Sequence, residues 1–331
     1  MITLFVSCSK EPGHGLNEGD VIRFTVQSAD METRTMYGER TSTKQPILWT
    51  TGDQIHIVMY NPSDYSGDHQ YAVYQVKAGG NKTAEIEPVG DPLTWKSTQT
   101  KVVAYYLPNF VAGIYPEMGN KGSVICRFYS TQEGTVDSWP EDYDQNTSPV
   151  QNMSHGPMYV SPTDITSGVV TLSFAPLFTS FEITLRNTFT YARYVYGVRI
   201  WNRDGSPIVG DYVIHDITQP LSGSIEETYF ASEYYAGIDY SDGTGGPYAD
   251  SYLARVNGTA EGNGNDGTFT FTIFCCPFSF SNMYVQVCGG EGYSAETQTT
   301  FTYAYPLTNS GSFISFAAQK KHALEITLPT Y

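Results

Sequence analysis

The sequence predicts an all-β chain folded as two tandem antiparallel β-sandwiches. Three observations carry that expectation. Apolar residues recur with a period of two along most of the chain, as in strands with one face on a core and one in solvent. Turn clusters separate these runs: NPSDYSGD, KAGGNK, NRDGSP, SDGTGGP and EGNGNDG. The chain has 331 residues, more than the roughly 250–300 at which a single core stops growing, so two domains are expected. Helical periodicity is nearly absent; only SIEETYFASEYY offers a turn or two of helix.

Residues 1–20 are expected to be a signal remnant and tether. A short apolar run, Ile2 to Val6, ends in Ser7-Cys8. A small residue before cysteine resembles the lipobox of a bacterial lipoprotein, which makes Cys8 the expected lipidation site. The run is shorter than the usual ~7–15 residues and no lysine or arginine precedes it, so the start codon is expected upstream of Met1. Ser9-Lys10-Glu11 loosely resembles the acidic tag that sends some lipoproteins to the cell surface, and Gly13 to Asp20 reads as a flexible tether.

The first sandwich is expected over 21–160. Its opening strand puts Ile22, Phe24 and Val26 on one face with Arg23 and Thr25 opposite. The run SADMETRTMYGERTSTKQ then reads as an exposed loop of small and polar residues holding Arg34 and Arg40. In PILWTTGDQIHIVM, Ile47 and Trp49 anchor a core strand, Gly52-Asp53 makes a tight turn, and His56 is an outward strand residue. The seam is expected in HGPMYVSPTDITSG, where Pro and Gly interrupt the pattern. The second sandwich, 161–331, then opens with VVTLSFAPLFTSFEITL, in which Phe181, Ile183 and Leu185 face inward. Phe269, Phe271 and Ile273 alternate with threonine, and Leu324, Ile326 and Leu328 close the chain in phase.

Composition excludes several functions. Eighteen basic against 34 acidic residues give a net charge of -16, which leaves no basic face to displace counterions from nucleic acid. No segment approaches the ~18 apolar residues of a membrane-spanning helix. Few charges (16%) beside 26 tyrosines fit a β-rich extracellular module. No cysteine or histidine spacing resembles a zinc site. EDYDQN begins like a calcium loop at Asp142, Asp144 and Asn146 but lacks the glycine and the closing glutamate, so no metal is expected. Cys275-Cys276 point to opposite strand faces and read as buried thiols, with a Cys275–Cys288 bridge as the alternative. Six scattered histidines, with no G-x-S-x-G, H-E-x-x-H or phosphate loop, argue against an enzyme or a cofactor.

TRTMYGE, PILWTTGDQIHIV, YAVYQVKAGGNKTAEIEPVGDPLTW and VVAYYLP follow one another in an order that resembles the fimbrillin-like proteins of Bacteroidota, the subunits of type V pili. GPMYVS, VTLSFAPLFTSFEITLRN and YPLTNSGSFISFAAQKKHALEITLP continue the likeness, from about Val21 to Leu328. The resemblance implies two stacked transthyretin-like Greek-key sandwiches, export as a lipoprotein to the outer membrane, and assembly into a surface fimbrium by strand exchange. An arginine-specific protease would cut after the first strand, at Arg34 or alternatively Arg40. The departing strand would take Ile22, Phe24 and Val26, its groove plugs, with it. A strand from another pilus subunit would then fill the groove. Only Pro329 to Tyr331 follow Leu328, where stalk subunits carry a donor segment, so a tip or minor adhesin-like role is implied; FISFAA, 313–318, is the alternative donor.

A tip subunit is expected to bind a host or bacterial surface glycan or protein. Residues 229–252 hold six tyrosines among Ser, Gly and Asp, the chemistry of antibody loops. Tyr234, Tyr235, Tyr240, Tyr248 and Tyr252 are the candidate ligand residues. The alternatives are a non-polymerising surface lipoprotein that binds glycans and a glycan-active enzyme whose paired carboxylates meet only in space.

Overall fold

The computed structural model describes residues 15–28, 30–35, 44–65, 67–107, 123–128, 156–191, 193–202, 208–215, 218, 226–233, 235–239, 254–256, 267–280, 283–290, 300–306, 314–316 and 320–328. Every regular element among them is a strand. The first ten are β1 (Arg23–Ser28), β2 (Asp30–Thr35), β3 (Lys44–Pro46), β4 (Gln54–Tyr60), β5 (His69–Val76), β6 (Thr83–Pro88), β7 (Lys101–Tyr106), β8 (Ser123–Phe128), β9 (Met158–Asp164) and β10 (Val169–Pro176). Then follow β11 (Thr179–Arg186), β12 (Arg193–Asn202), β13 (Val209–His215), β14 (Glu226–Glu233), β15 (Tyr235–Asp239) and β16 (Ala254–Val256). The last are β17 (Thr268–Cys275), β18 (Phe278–Phe280), β19 (Met283–Gly290), β20 (Thr300–Pro306), β21 (Ile314–Phe316) and β22 (Lys320–Thr327).

Seven strands close into a barrel in the order β1-β10-β9-β7-β4-β5-β6. Alternation places Phe24, Val26, Ile55, Ile57, Tyr74, Ile86, Val160, Leu172 and Phe174 in the core, each at most 8% exposed. Trp49 enters from the segment before β4. It meets Tyr106 and Phe174 edge-on, with ring centroids 5.6 and 5.2 Å away, and its indole N–H donates to Lys82 O at 2.9 Å. The Gly52-Asp53 turn forms as its residues demand. Gly52 has φ +90°, Asp53 N–H donates to Thr50 O, and the Asp53 carboxylate accepts from Thr50 N–H at 2.7 Å. Gly79 backs onto this turn so closely that a Cβ would lie 2.6 Å from both Trp49 O and Thr51 N.

The second sheet runs β17-β11-β22-β2-β3. Phe181, Ile183 and Leu185 are fully buried, and Leu324, Ile326 and Leu328 lie at 3, 6 and 1% exposure in the same layer. Sheets β15-β12-β19-β20, β14-β13-β8 and β18-β21 complete the described topology.

Several expectations change. The sheets are mixed: β1 runs parallel to β10, and β22 runs parallel to both β11 and β2. Period-two alternation carries no information on strand direction, and each pair has the long crossover that parallel strands require. Val169–Pro176 does not open the second sheet but closes the barrel against β1 and β9; the next strand, β11, begins the new layer. The supposed loop after β1 contains β2, so Arg34 is a strand residue opposite His322. The segment offered as a helical turn is strand β14, where Thr228, Tyr229 and Phe230 outweigh the helix-forming glutamates. Cys275 and Cys276 are buried free thiols. Cys275 is in no disulfide, so the alternative Cys275–Cys288 bridge does not form.

Candidate functional site: the first-strand groove

Strand β1 is bonded along both edges. It pairs in parallel with β10 from Arg23↔Val169 to Ser28↔Phe174, and antiparallel with β6 at Thr25↔Glu85, Val26↔Ala84 and Gln27↔Thr83. Ile22, Phe24 and Val26 are 1, 3 and 0% exposed and belong to the core. Phe24 packs edge-on to Tyr74 at 5.3 Å. Burying three such side chains contributes roughly 1.5–3 kcal/mol each. On the outer face, the hydroxyls of Thr25 and Thr171 lie 3.1 Å apart. At the far end, Ser28 N–H donates to Lys82 O and its hydroxyl to Ile47 O.

The stretch before β1 is docked, contrary to the flexible tether expected there. Asn17 to Asp20 form a turn closed by Asp20 N–H to Asn17 O, with Gly19 at φ +87° supplying the left-handed position. The segment then zips along 93–97. Gly19 N–H donates to Trp95 O, Trp95 N–H to Asp20 O, and Ile22 N–H to Leu93 O, at 2.9, 2.7 and 3.1 Å. The Glu18 carboxylate accepts from Ser97 N–H at 2.7 Å. Hydrogen bonds from Ser97, helped by the Lys96 charge, hold that carboxyl below its ordinary value. Leu16 and Trp95 pack against the core. Sequence reasoning missed this contact because 93–97 carries no strand alternation; only Val21↔Thr94 forms a bridge.

Immediately after β1, β2 crosses to the second sheet, flanked by β22 and β3. Its pairing with β3 covers Asp30 to Glu32, so Arg34 lies past β3 on that edge while its other edge meets β22. Of the ligand-loop candidates, Tyr235 sits in β15 opposite Trp201. Cys8, Arg40, Tyr234, Tyr240, Tyr248, Tyr252 and the EDYDQN segment lie outside the described residues. FISFAA overlaps β21, which pairs with β18. His56 is not outward-facing solvent surface: it is 6% exposed and shares a 2.7 Å hydrogen bond between Nδ1 and the Tyr71 hydroxyl. Burial pushes its imidazole below the ordinary value. Among the described residues no group of three or more His, Cys, Asp or Glu is arranged to hold a metal ion.

No protein-family model and no curated protein matches the chain. Among solved structures, the chain is similar to a candidate cell adhesion protein from Bacteroides uniformis, at 13% identity and TM-score 0.49, with 93% of this chain and 92% of that one covered. A candidate cell adhesion protein from Bacteroides ovatus follows at 11% identity and TM-score 0.47, over 93% and 92%. A fimbrial protein from Bacteroides vulgatus aligns at 10% identity and TM-score 0.39, over 90% of this chain and 95% of its own.

Proposed function

We propose that the chain is a cell-surface pilus subunit that joins its neighbours by protease-triggered strand exchange. The observation that carries this reading is β1. It is one short strand, bonded on both edges and plugged into the barrel by Ile22, Phe24 and Val26, with a pair of arginines just beyond it. Its removal would expose two rows of backbone donors and acceptors and an apolar slot, a template for another strand. The order of sequence segments that resembles fimbrillin-like proteins supports the same conclusion.

The subunit is read as two β-domains, with the seam after Pro176 because β9 and β10 complete the barrel. Strand β22 is held between β11 and β2 at the centre of its own sheet, which speaks for a structural part in this subunit; the position we propose is a tip or minor adhesin-like one. Cys8 is the proposed lipid anchor to the outer membrane, and the tyrosine-rich 229–252 segment the proposed ligand surface.

Cleavage needs an extended, accessible backbone. Arg34 is inside β2 and Arg40 lies beyond its last residue, which shifts the preferred cut to Arg40, so the piece released carries β2, with its pairing to β22 and β3, as well as β1. Brief trypsin treatment of the folded chain should therefore give a new N-terminus at Thr41 before one at Thr35. The nicked protein should then form polymer ladders on standing. Early fragments that begin elsewhere, or a nicked protein that never exchanges its first strand, would overturn the proposal. Incorporation of an alkynyl fatty acid into wild type and equally into Cys8→Ala would remove the anchor from it.

A further inference from the structure

We propose that the segment 93–97 is a second recognition subsite for the strand that replaces β1, selecting a peptide that turns just ahead of that strand and carries a carboxylate four residues before its first buried apolar side chain. The inference rests on the strand-exchange reading and adds to it a requirement on the incoming partner, a strand from another pilus subunit.

The occupant of the subsite is visible, because the chain's own segment fills it. Glu18 precedes Ile22, the first plug, by four residues, and its carboxylate sits on Ser97 N–H. Between them, Gly19 N–H and Asp20 O pair with Trp95 O and N–H, and Ile22 N–H satisfies Leu93 O. With the segment in place Leu93 is 2% exposed, and loss of the occupant would remove the donor of its carbonyl. The subsite lies outside the barrel strands, since 93–97 joins the N-terminal segment through the single bridge Val21↔Thr94. A replacement strand that filled only the positions of Arg23–Ser28 would complete the barrel and still take from Leu93 O, Trp95 O, Trp95 N–H and Ser97 N–H the partners they have here. One that also carries an acidic residue at the Glu18 position satisfies both. Near the carboxylate, Lys96 adds a favouring positive charge and Asp68 an opposing negative one, so the Ser97 hydrogen bond carries the preference for an acid. The turn over Asn17–Asp20, with Gly19 at φ +87°, sets how the acidic residue reaches back.

The test uses the nicked full-length chain and a labelled peptide of residues 16–28. Unlabelled peptides 16–28, 21–28 and 16–28 carrying Glu18→Ala compete for the site. The peptide 21–28, which lacks the turn and its bonds to Trp95 and Ser97, should compete most weakly, and the Glu18→Ala peptide about threefold more weakly than 16–28, since the carboxylate bond to Ser97 N–H is solvent-exposed. Equal competition by all three overturns the subsite. If no peptide enters the nicked chain, it is the exchange reading that fails. The clamp is then decided on the uncut protein by amide hydrogen exchange at Ser97. Glu18→Ala should speed that exchange at least about fivefold, and an unchanged rate overturns it.

Discussion

His56 shows how one residue departs from what its sequence neighbourhood suggests. QIHIVMY alternates as a strand, and alternation alone sends His56 outward, yet β4 is buried on both faces from Ile55 to Tyr60. A barrel wall covered on its outer side erases the distinction that the period-two pattern relies on. Trp49, Gly52 and Asp53 were legible because each has a local physical signature: a large apolar ring, a positive φ, and a carboxylate closing its own turn. Burial lowers the folded pKa of His56 below its unfolded value near 6.5. The unfolded chain therefore binds more protons than the folded one below that pH. The associated stability is complete above pH ~6.5 and is lost as pH falls toward the depressed folded value. Urea unfolding at pH 7.5 and 5.5 should show wild type losing more stability than His56→Gln, by up to about 1.4 kcal/mol per pH unit. Equal losses would mean that the imidazole does not titrate differently on folding.

At the scale of the element, β1 and β22 were both readable as strands, since Ile22, Phe24 and Val26, and Leu324, Ile326 and Leu328, fall strictly in phase. Their partners were not readable. Nothing in RFTVQS names β10 as a parallel neighbour, and nothing in DMETRT names β22. A short polar run such as DMETRT reads as loop because it has no apolar row of its own; pairing with β22 makes it a strand. The position of β22 between β11 and β2 makes it structural. Leu324→Asp should destabilise the protein by roughly 2–5 kcal/mol, as an unpaired carboxylate replaces a core side chain. Deleting 320–331 should also strip β2 of its parallel partner, which a proteolysis time course would register as faster cutting after Arg34. A deletion that left both the melting temperature and the cutting rate unchanged would make the C-terminal strand detachable and restore it as a donor.

At the scale of the whole molecule, the sheets do not respect sequence halves. Strands β2 and β3 belong to the sheet built on β11 and β22, and β8, which lies between two barrel strands in sequence, pairs with β13 from Gly210↔Phe128 to His215↔Ser123. The barrel is thus tied to the later sheets at two places. Residues 15–178 expressed alone contain all seven barrel strands, but β2, β3 and β8 would lose the sheets they complete. This fragment should melt at least several degrees below the intact chain and aggregate through its open edges. A fragment as stable and soluble as the whole would show that these ties carry little energy. The pairing of β2 with β22 also bears on how the protein is made. The strand at 30–35 leaves the ribosome early and waits for a partner at 320–327. At roughly 5–20 residues per second, that delay is about a quarter of a minute to one minute. Throughout it the nascent chain presents an unmatched edge near its amino terminus, and the second sheet cannot close until translation is almost finished. Chain growth, rather than any local propensity, then sets the earliest moment at which the native topology exists.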